Sequence, residues 1–126
     1  MNAELDKKLC EEFPSIFKNR NGKITETCMA WGFDCGDGWY PLLRALCLNI
    51  QHTKQEVTAD QVKEKYGGLR FYYSGGDRYI DGLVSMAETM SEYTCESCGD
   101  TSTAKIRGTH WLCCSCDKCW EEKIKV

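Results

Sequence analysis

Three stretches of the chain carry hydrophobic residues at the spacing of an α-helix. They cover residues 2–13, about 38–51 and 77–93. Pro14 ends the first helix, because proline cannot continue one, and Asp77 is a suitable N-cap for the third. The three hydrophobic stripes consist of Leu5, Leu9 and Phe13; of Leu42, Leu43, Leu46 and Ile50; and of Ile80, Leu83, Val84, Ala87 and Met90. We therefore predict three helices.

The second and third helices contain residues that helix interiors normally avoid. Pro41 falls in the first turn of the second helix, where its missing N–H group costs nothing, so we expect Asp37 or Gly38 to be the N-cap. Gly82 lies inside the third helix, where it costs roughly 1 kcal/mol relative to alanine. We interpret Gly82 as the mark of a close packing contact.

The segment between these two helices predicts a β-hairpin. Residues 63–73 are rich in tyrosine and contain Gly67-Gly68, and we expect this pair to supply the positive φ angles of a two-residue turn. An alternative exists at the start of the segment, where Thr58 and Gln61 fit a helical capping box. We favour two antiparallel strands.

The connection from Glu26 to Tyr40 is dense in aromatic residues and glycine. No helical or strand period runs through it, so we predict an irregular, compact connection. Its tryptophans, Trp31 and Trp39, are expected to pack inward because they are the largest apolar side chains there.

Cysteines dominate the C-terminal part of the chain. Cys95 and Cys98 form one C-x-x-C pair, followed by a glycine, and Cys116 and Cys119 form a second. Two such pairs joined by a short ribbon are typical of a structural zinc site with four thiolate ligands. The pair Cys113 and Cys116 has the same spacing, and His110 is a minor rival ligand. We favour Cys116 and Cys119, because the strand that contains Trp111 can then end before the second pair begins.

The residues between the two pairs predict a two-stranded ribbon over residues 101–114, turning near Arg107 and Gly108. Cys113 and Cys114 would be strand residues, with at least one of them exposed. Four thiolates close a tetrahedral shell, so one zinc ion here would be structural and not catalytic. The side chains expected to cover the ribbon are Ile106, Trp111 and Leu112.

Four further cysteines, Cys10, Cys28, Cys35 and Cys47, are scattered through the first half of the chain. A second metal site is an open alternative for this group. We favour small apolar thiols in a core, because a free cysteine is among the most buried residue types.

Composition and charge narrow the classes of function. The chain has 126 residues, 42% of them hydrophobic, and a net charge of -3. We predict an α+β body over residues 1–93 with a zinc-ribbon segment over residues 94–126 packed on it. No apolar run spans a membrane and no signal peptide begins the chain, which favours a cytoplasmic protein. The acidic charge disfavours nucleic acid as a partner, since a phosphate backbone requires clustered positive charge.

The chain lacks the common catalytic sequence motifs, so we predict that it is not an enzyme. Use of Cys113 or Cys114 as a nucleophile is the enzymatic alternative. The predicted hairpin and the ribbon tip instead offer a mixed basic and aromatic surface that suits either a protein or single-stranded nucleic acid. The candidate partner-binding residues are Lys63, Lys65, Arg70, Tyr72, Tyr73 and Arg107.

Several of these segments resemble a family of small, largely uncharacterised proteins encoded by tailed bacteriophages and prophages. The resemblance covers about residues 25–122 and is carried by residues 26–33, 36–39 and 61–73 and by the helix before Cys95. Members of that family end in a strand followed by Cys-Asp-x-His. Cys119 stands where they have histidine, which supports Cys119 over Cys113 as a ligand.

The resemblance implies a phage accessory protein that acts in the cytoplasm of a bacterial host. We expect a non-enzymatic protein that binds and modulates a host protein, for instance an anti-defence inhibitor such as an anti-CRISPR. The alternative is a zinc-ribbon regulator that binds nucleic acid through the hairpin or the ribbon.

Overall fold

A computed structural model describes residues 1–124; the last two positions of the predicted zinc-ribbon segment lie outside the described residues. The chain has an α+β fold, as predicted, but four α-helices are described where the sequence predicted three. The helices are α1 (Ala3–Glu12), α2 (Tyr40–His52), α3 (Arg78–Ser91) and α4 (Asp117–Ile124). The strands are β1 (Phe33–Asp34), β2 (Val57–Lys65), β3 (Gly68–Gly75), β4 (Lys105–Arg107) and β5 (Cys113–Ser115). None of the described helices is long and apolar enough to cross a membrane.

Side-chain caps fix where α1 and α3 begin. The Asn2 side chain accepts a hydrogen bond from the backbone N–H of Leu5, and the Asp77 carboxylate accepts from Tyr79 and Ile80. These bonds satisfy N–H groups that a helix leaves free at its first turn. The predicted cap of α2 was wrong, because Asp37–Trp39 form a short 3-10 helix and α2 begins only at Tyr40.

The hairpin is confirmed, but its turn lies one residue earlier than predicted. Lys65 pairs with Gly68, which leaves Tyr66 and Gly67 as the two central turn residues, with φ angles of 55° and 86°. Gly68 belongs to β3. The helical alternative at Thr58 is wrong, because that residue lies in β2, next to a register shift between Ala59 and Gln61.

A three-stranded sheet in the order β1-β2-β3 carries the core on one face. Phe33 and Phe71 both pair with Val62, so the three side chains share the inner face, and all three are buried. Trp39 is fully buried, as expected, but Trp31 is 68% exposed, so the prediction that both tryptophans pack inward was wrong for Trp31. Trp31 ends a second short 3-10 helix, Cys28–Trp31, which follows a Thr27 cap and leaves the ring at the surface.

Helix α3 covers part of the open edge of strand β3. The Leu69 N–H donates to Ser91 Oγ at 2.8 Å, and the Phe71 N–H donates to a Glu88 carboxylate oxygen at 2.9 Å. An edge strand otherwise presents unpaired N–H groups that invite association with other strands. These two side chains therefore close part of the sheet edge and tie α3 to it.

The C-terminal segment contains a ribbon and then α4. Strands β4 and β5 are antiparallel, with Ile106 opposite Cys114, and the turn between them includes Gly108 at a φ of 106°. Trp111 is 81% exposed, so it does not cover the ribbon as expected. The unpredicted helix α4 begins directly after Cys116, with Asp117 in its first turn and Lys123 in its last, which complements the helix dipole.

Candidate metal centre

Four cysteines from three local elements meet at one point. Cys95 and Cys98 lie in the turn that follows α3, Cys116 follows β5, and Cys119 lies in α4. Their Sγ atoms all lie within 4.8 Å of one another, and the Sγ atoms of Cys98 and Cys116 are 3.7 Å apart. A tetrahedral ion with metal–sulfur distances of about 2.3 Å requires sulfur–sulfur separations of about 3.8 Å. The cluster could therefore hold a metal ion.

The first cysteine pair sits in a tight backbone turn. The Gly99 N–H donates to the Cys95 carbonyl at 2.8 Å, and the Cys95 N–H donates to the Asp100 carbonyl at 2.8 Å. Gly99 has a φ of 85°, a conformation that favours glycine. The C-x-x-C-G sequence is thus required by the turn that brings the two sulfur atoms to the same side.

Backbone N–H groups point at the buried thiol of Cys95. Burial alone would raise its pKa, but hydrogen bonds from the backbone of Cys116, Cys98 and Ser97 together outweigh burial and lower the pKa of Cys95 to about 6. These hydrogen bonds therefore favour the thiolate form of this sulfur. The thiolate is the form that ligates metal.

Cys113 and His110 do not belong to this cluster, which contains Cys119 instead. Cys113 and Cys114 are both buried, so the expectation that at least one is exposed was wrong. The reason is that β5 packs against the segment that directly follows α3, where the Cys114 thiol donates to the Thr94 carbonyl at 3.2 Å. Burial raises the pKa of Cys114 to about 11, which makes it a poor nucleophile.

The first cysteine turn is fastened to the segment before α2. The Gly38 N–H donates to the Glu96 carbonyl at 2.7 Å, the Gly36 N–H donates to the Glu96 carboxylate at 2.8 Å, and the Trp39 indole N–H donates to the Thr94 carbonyl at 2.8 Å. A Cβ atom added to Gly38 would lie 2.2 Å from the Cys95 carbonyl oxygen. Gly38 is therefore required for the close approach of the two segments.

The four cysteines of the first half of the chain lie in different environments. Cys35 and Cys47 are buried, in agreement with the interpretation as core thiols, and burial raises the pKa of Cys35 to about 12. Cys10 is partly buried and lies 3.6 Å from an Asp6 oxygen, whereas Cys28 is exposed. Within residues 1–124, the one group of three or more metal-binding side chains is the C-terminal cluster.

The predicted partner-binding residues of the hairpin divide between two faces. Lys63 pairs with Arg70, and Tyr72 pairs with Gln61, so these side chains share the outer face of the sheet. Lys65 lies at the end of β2, with its ammonium 5.6 Å from the centre of the Tyr66 ring.

Tyr73 faces α3 instead, and its hydroxyl donates to Asp81. Burial, followed by this hydrogen bond to a carboxylate, raises the pKa of Tyr73 to about 12. Arg107 also turns away from solvent. Its guanidinium donates to the Ser115 carbonyl at 2.8 Å and to the Thr103 carbonyl at 3.1 Å, and it forms an ion pair with Asp117. Arg107 therefore links β4, β5 and α4.

Sequence reasoning missed one exposed aromatic side chain near the outer face. Trp31 lines the same cleft as Gln61, whose neighbour across the hairpin is Tyr72. The nearest sequence signal is Gly32, because glycine is the common residue at a helix end, and Gly32 ends the short 3-10 helix directly after Trp31 with a φ of 83°. Trp31, Gln61, Lys63, Arg70 and Tyr72 are called the outer sheet face below.

No family model matches the chain, and neither the curated proteins nor the solved structures contain a match. The likeness to proteins of tailed bacteriophages therefore stays a prediction from the sequence.

Proposed function

We propose that Cys95, Cys98, Cys116 and Cys119 bind one Zn²⁺ with a purely structural role. Four soft sulfur ligands at tetrahedral separations are the preferred environment of this ion, and they leave no coordination position for water or substrate. The bound ion would connect the end of α3, the end of β5 and the start of α4. Metal binding would therefore supply folding free energy to the whole C-terminal segment.

Elemental analysis of the purified protein tests this assignment, with an expected content of about one zinc per chain. Cys98→Ser removes one exposed ligand and should abolish stoichiometric zinc binding. Cys28→Ser is the matched control, because Cys28 is also exposed but lies outside the cluster. A metal-free protein with a fully folded C-terminal segment would contradict the proposal.

We further propose that the chain is a non-enzymatic phage or prophage accessory protein that binds and modulates a bacterial host protein in the host cytoplasm. The observation that carries this proposal is the outer sheet face. Trp31 is 68% exposed and Tyr72 is 43% exposed, and the cationic side chains of Lys63 and Arg70 lie on the same sheet surface as Tyr72. Aromatic and arginine side chains are the typical anchors of protein interfaces, and the two cations favour an acidic partner surface.

The partner class that fits the sequence resemblance is a component of a bacterial defence system, for which the protein would act as an inhibitor. Tagged protein and its variants are used to capture partners from bacterial lysate. Trp31→Ala and Tyr72→Ala should each abolish the capture of a stoichiometric host protein. Trp111→Ala should have no effect, because Trp111 is more exposed than either residue and lies on the ribbon instead. Equal capture by all three variants would exclude the outer sheet face as the binding surface.

The same face supports a second candidate, a regulator that binds single-stranded nucleic acid. Bases stack on exposed aromatic rings, and cations next to the rings contact phosphates. The net charge of -3 disfavours binding to the phosphate backbone, and a zinc ion with four thiolates would add about -2 to it. A mobility shift at low salt that disappears in Lys63→Glu and weakens steeply with added salt would favour this candidate. The absence of any shift at low salt would remove it.

A further inference from the structure

Helix α3 has a second apolar face that points away from the core. Its inner side is formed by Ile80, Val84 and Ala87, all buried. On the other side of α3, Tyr79, Met86 and Met90 are 60%, 64% and 46% exposed, and Tyr93, in the turn directly after the helix, is 63% exposed. These four residues and Gly82 form the outward face of α3. A contiguous exposed apolar patch rimmed by polar residues marks an interaction site.

Gly82 lies between Tyr79 and Met86 along this outward face and faces open space. No atom lies within 4 Å of the position that a Cβ of Gly82 would occupy, so the expected internal packing contact was wrong. Its absent side chain leaves a depression between Tyr79 and Met86. A long, flexible side chain from a second helix would fill that depression.

We propose that the outward face of α3 pairs in an antiparallel manner with the same face of a second copy of the chain. With a two-fold axis at Met86, the depression at Gly82 receives Met90 of the second copy, and Tyr79 lies opposite Tyr93 of the second copy. The contact is then isologous and closes on itself, as in most homodimers.

Charge favours the antiparallel arrangement. Arg78, Ser85 and Glu92 follow one another at seven-residue spacing along one flank of the apolar face. Glu92 is the C-cap of α3, and its side chain lies beside Gly68. In an antiparallel pair, equivalent flanks meet, so Arg78 of each copy lies near Glu92 of the other copy, offset by about 3 Å of helix rise. Within residues 1–124 neither side chain has an ion-pair partner of its own.

The exposed area is sufficient for a weak, specific dimer. A tyrosine offers about 150–250 Å² of surface. The four exposed side chains together would bury on the order of 500 Å² per copy, so the pair would bury roughly 1,000 Å², the lower limit of a specific interface. We therefore expect a reversible dimer that dissociates on dilution.

Sedimentation velocity over a range of protein concentrations tests the proposal. The wild-type chain should shift from monomer to dimer with increasing concentration. Met86→Glu places two carboxylates opposite each other and should raise the dimer Kd by more than about a hundredfold. Ile24→Glu is the matched control, because it makes the same kind of change at a 59% exposed residue outside α3 and should leave the Kd unchanged.

A charge exchange tests the antiparallel register. Arg78→Glu and Glu92→Arg should each raise the Kd by about tenfold, and the double variant should restore it to within about threefold of wild type. A mixture of the two single variants should form a heterodimer in preference to either homodimer. A wild-type chain that stays monomeric throughout, a dimer insensitive to Met86→Glu, or a double variant as weak as the single ones would each overturn the proposal.

Discussion

Ser91 holds the sheet to α3 through one fully buried hydroxyl. Its Oγ accepts the Leu69 N–H at 2.8 Å and donates to the Glu88 carbonyl at 2.6 Å. Both Ser91 and Leu69 are 0% exposed, so water cannot replace the hydroxyl. Ser91→Ala would leave the Leu69 N–H buried without an acceptor.

The cost of this substitution follows from two opposing contributions. A buried donor without a partner costs about 1–3 kcal/mol. The higher helix propensity of alanine offsets about 0.5 kcal/mol of that cost. We therefore expect Ser91→Ala to lower the free energy of unfolding by about 1.5 kcal/mol.

Urea unfolding in constant excess zinc, followed by tryptophan fluorescence, measures the effect. With a urea dependence of about 1–3 kcal/mol per molar, the midpoint should fall by roughly 0.5–1.5 M. Ser85→Ala is the matched control, because Ser85 lies in the same helix but is exposed, and it should leave stability equal or slightly higher. An unchanged midpoint in Ser91→Ala, or an equal fall in Ser85→Ala, would refute the role assigned to the hydroxyl.

Three other substitutions or reactions have expected outcomes. Gly67→Ala should lower the free energy of unfolding by about 1–2 kcal/mol, because Gly67 has a positive φ that alanine disfavours. Gly68→Ala, in strand β3, should lower it by clearly less, and equal losses for the two variants would contradict the placement of the turn. Gly82→Ala should raise unfolding free energy by about 1 kcal/mol in dilute solution, and a loss would show that the site is not open. In the zinc-loaded protein a thiol reagent should modify Cys28 rapidly and Cys35 slowly, as mass spectrometry of peptides can show; rapid modification of Cys35 would contradict its burial.

Local signals were sufficient to predict much of the fold. The hydrophobic stripes of α1 and α3, the Asp77 cap of α3 and the glycine pair of the hairpin concern residues close together in the chain. The C-x-x-C-G turn is also local, which is why Cys95 and Cys98 could be identified as one half of the cluster. For the second half the sequence offered two spacings and favoured Cys116 and Cys119, on the argument that a strand ends before the pair begins; β5 does end at Ser115, directly before Cys116.

The errors arose where a distant contact decides the local conformation. The glycine pair allowed a turn at either of two positions, and the register of β2 with β3 selects Tyr66 and Gly67. Helix α4 has a short and mostly polar sequence, and it begins where Cys116 and Cys119 turn toward the cluster. Trp31 remains exposed because it ends a short 3-10 helix beside Gln61, on the outer side of the sheet, and a count of aromatic residues does not reveal that placement.

The cysteine cluster is packed against the body of the protein at the segment that precedes α2. The Gly36-Asp37-Gly38-Trp39 sequence has glycines because the backbone of the first cysteine turn passes within contact distance of both of them. The indole of Trp39 reaches into the core and, at its N–H, binds the residue directly before Cys95. If the first cysteine turn moves, the hydrogen bond from the Trp39 indole to the Thr94 carbonyl must break or move with it. A metal ion bound at the cluster would therefore be coupled to the order of the core through Trp39, although within residues 1–124 the candidate ligands all come from the C-terminal segment.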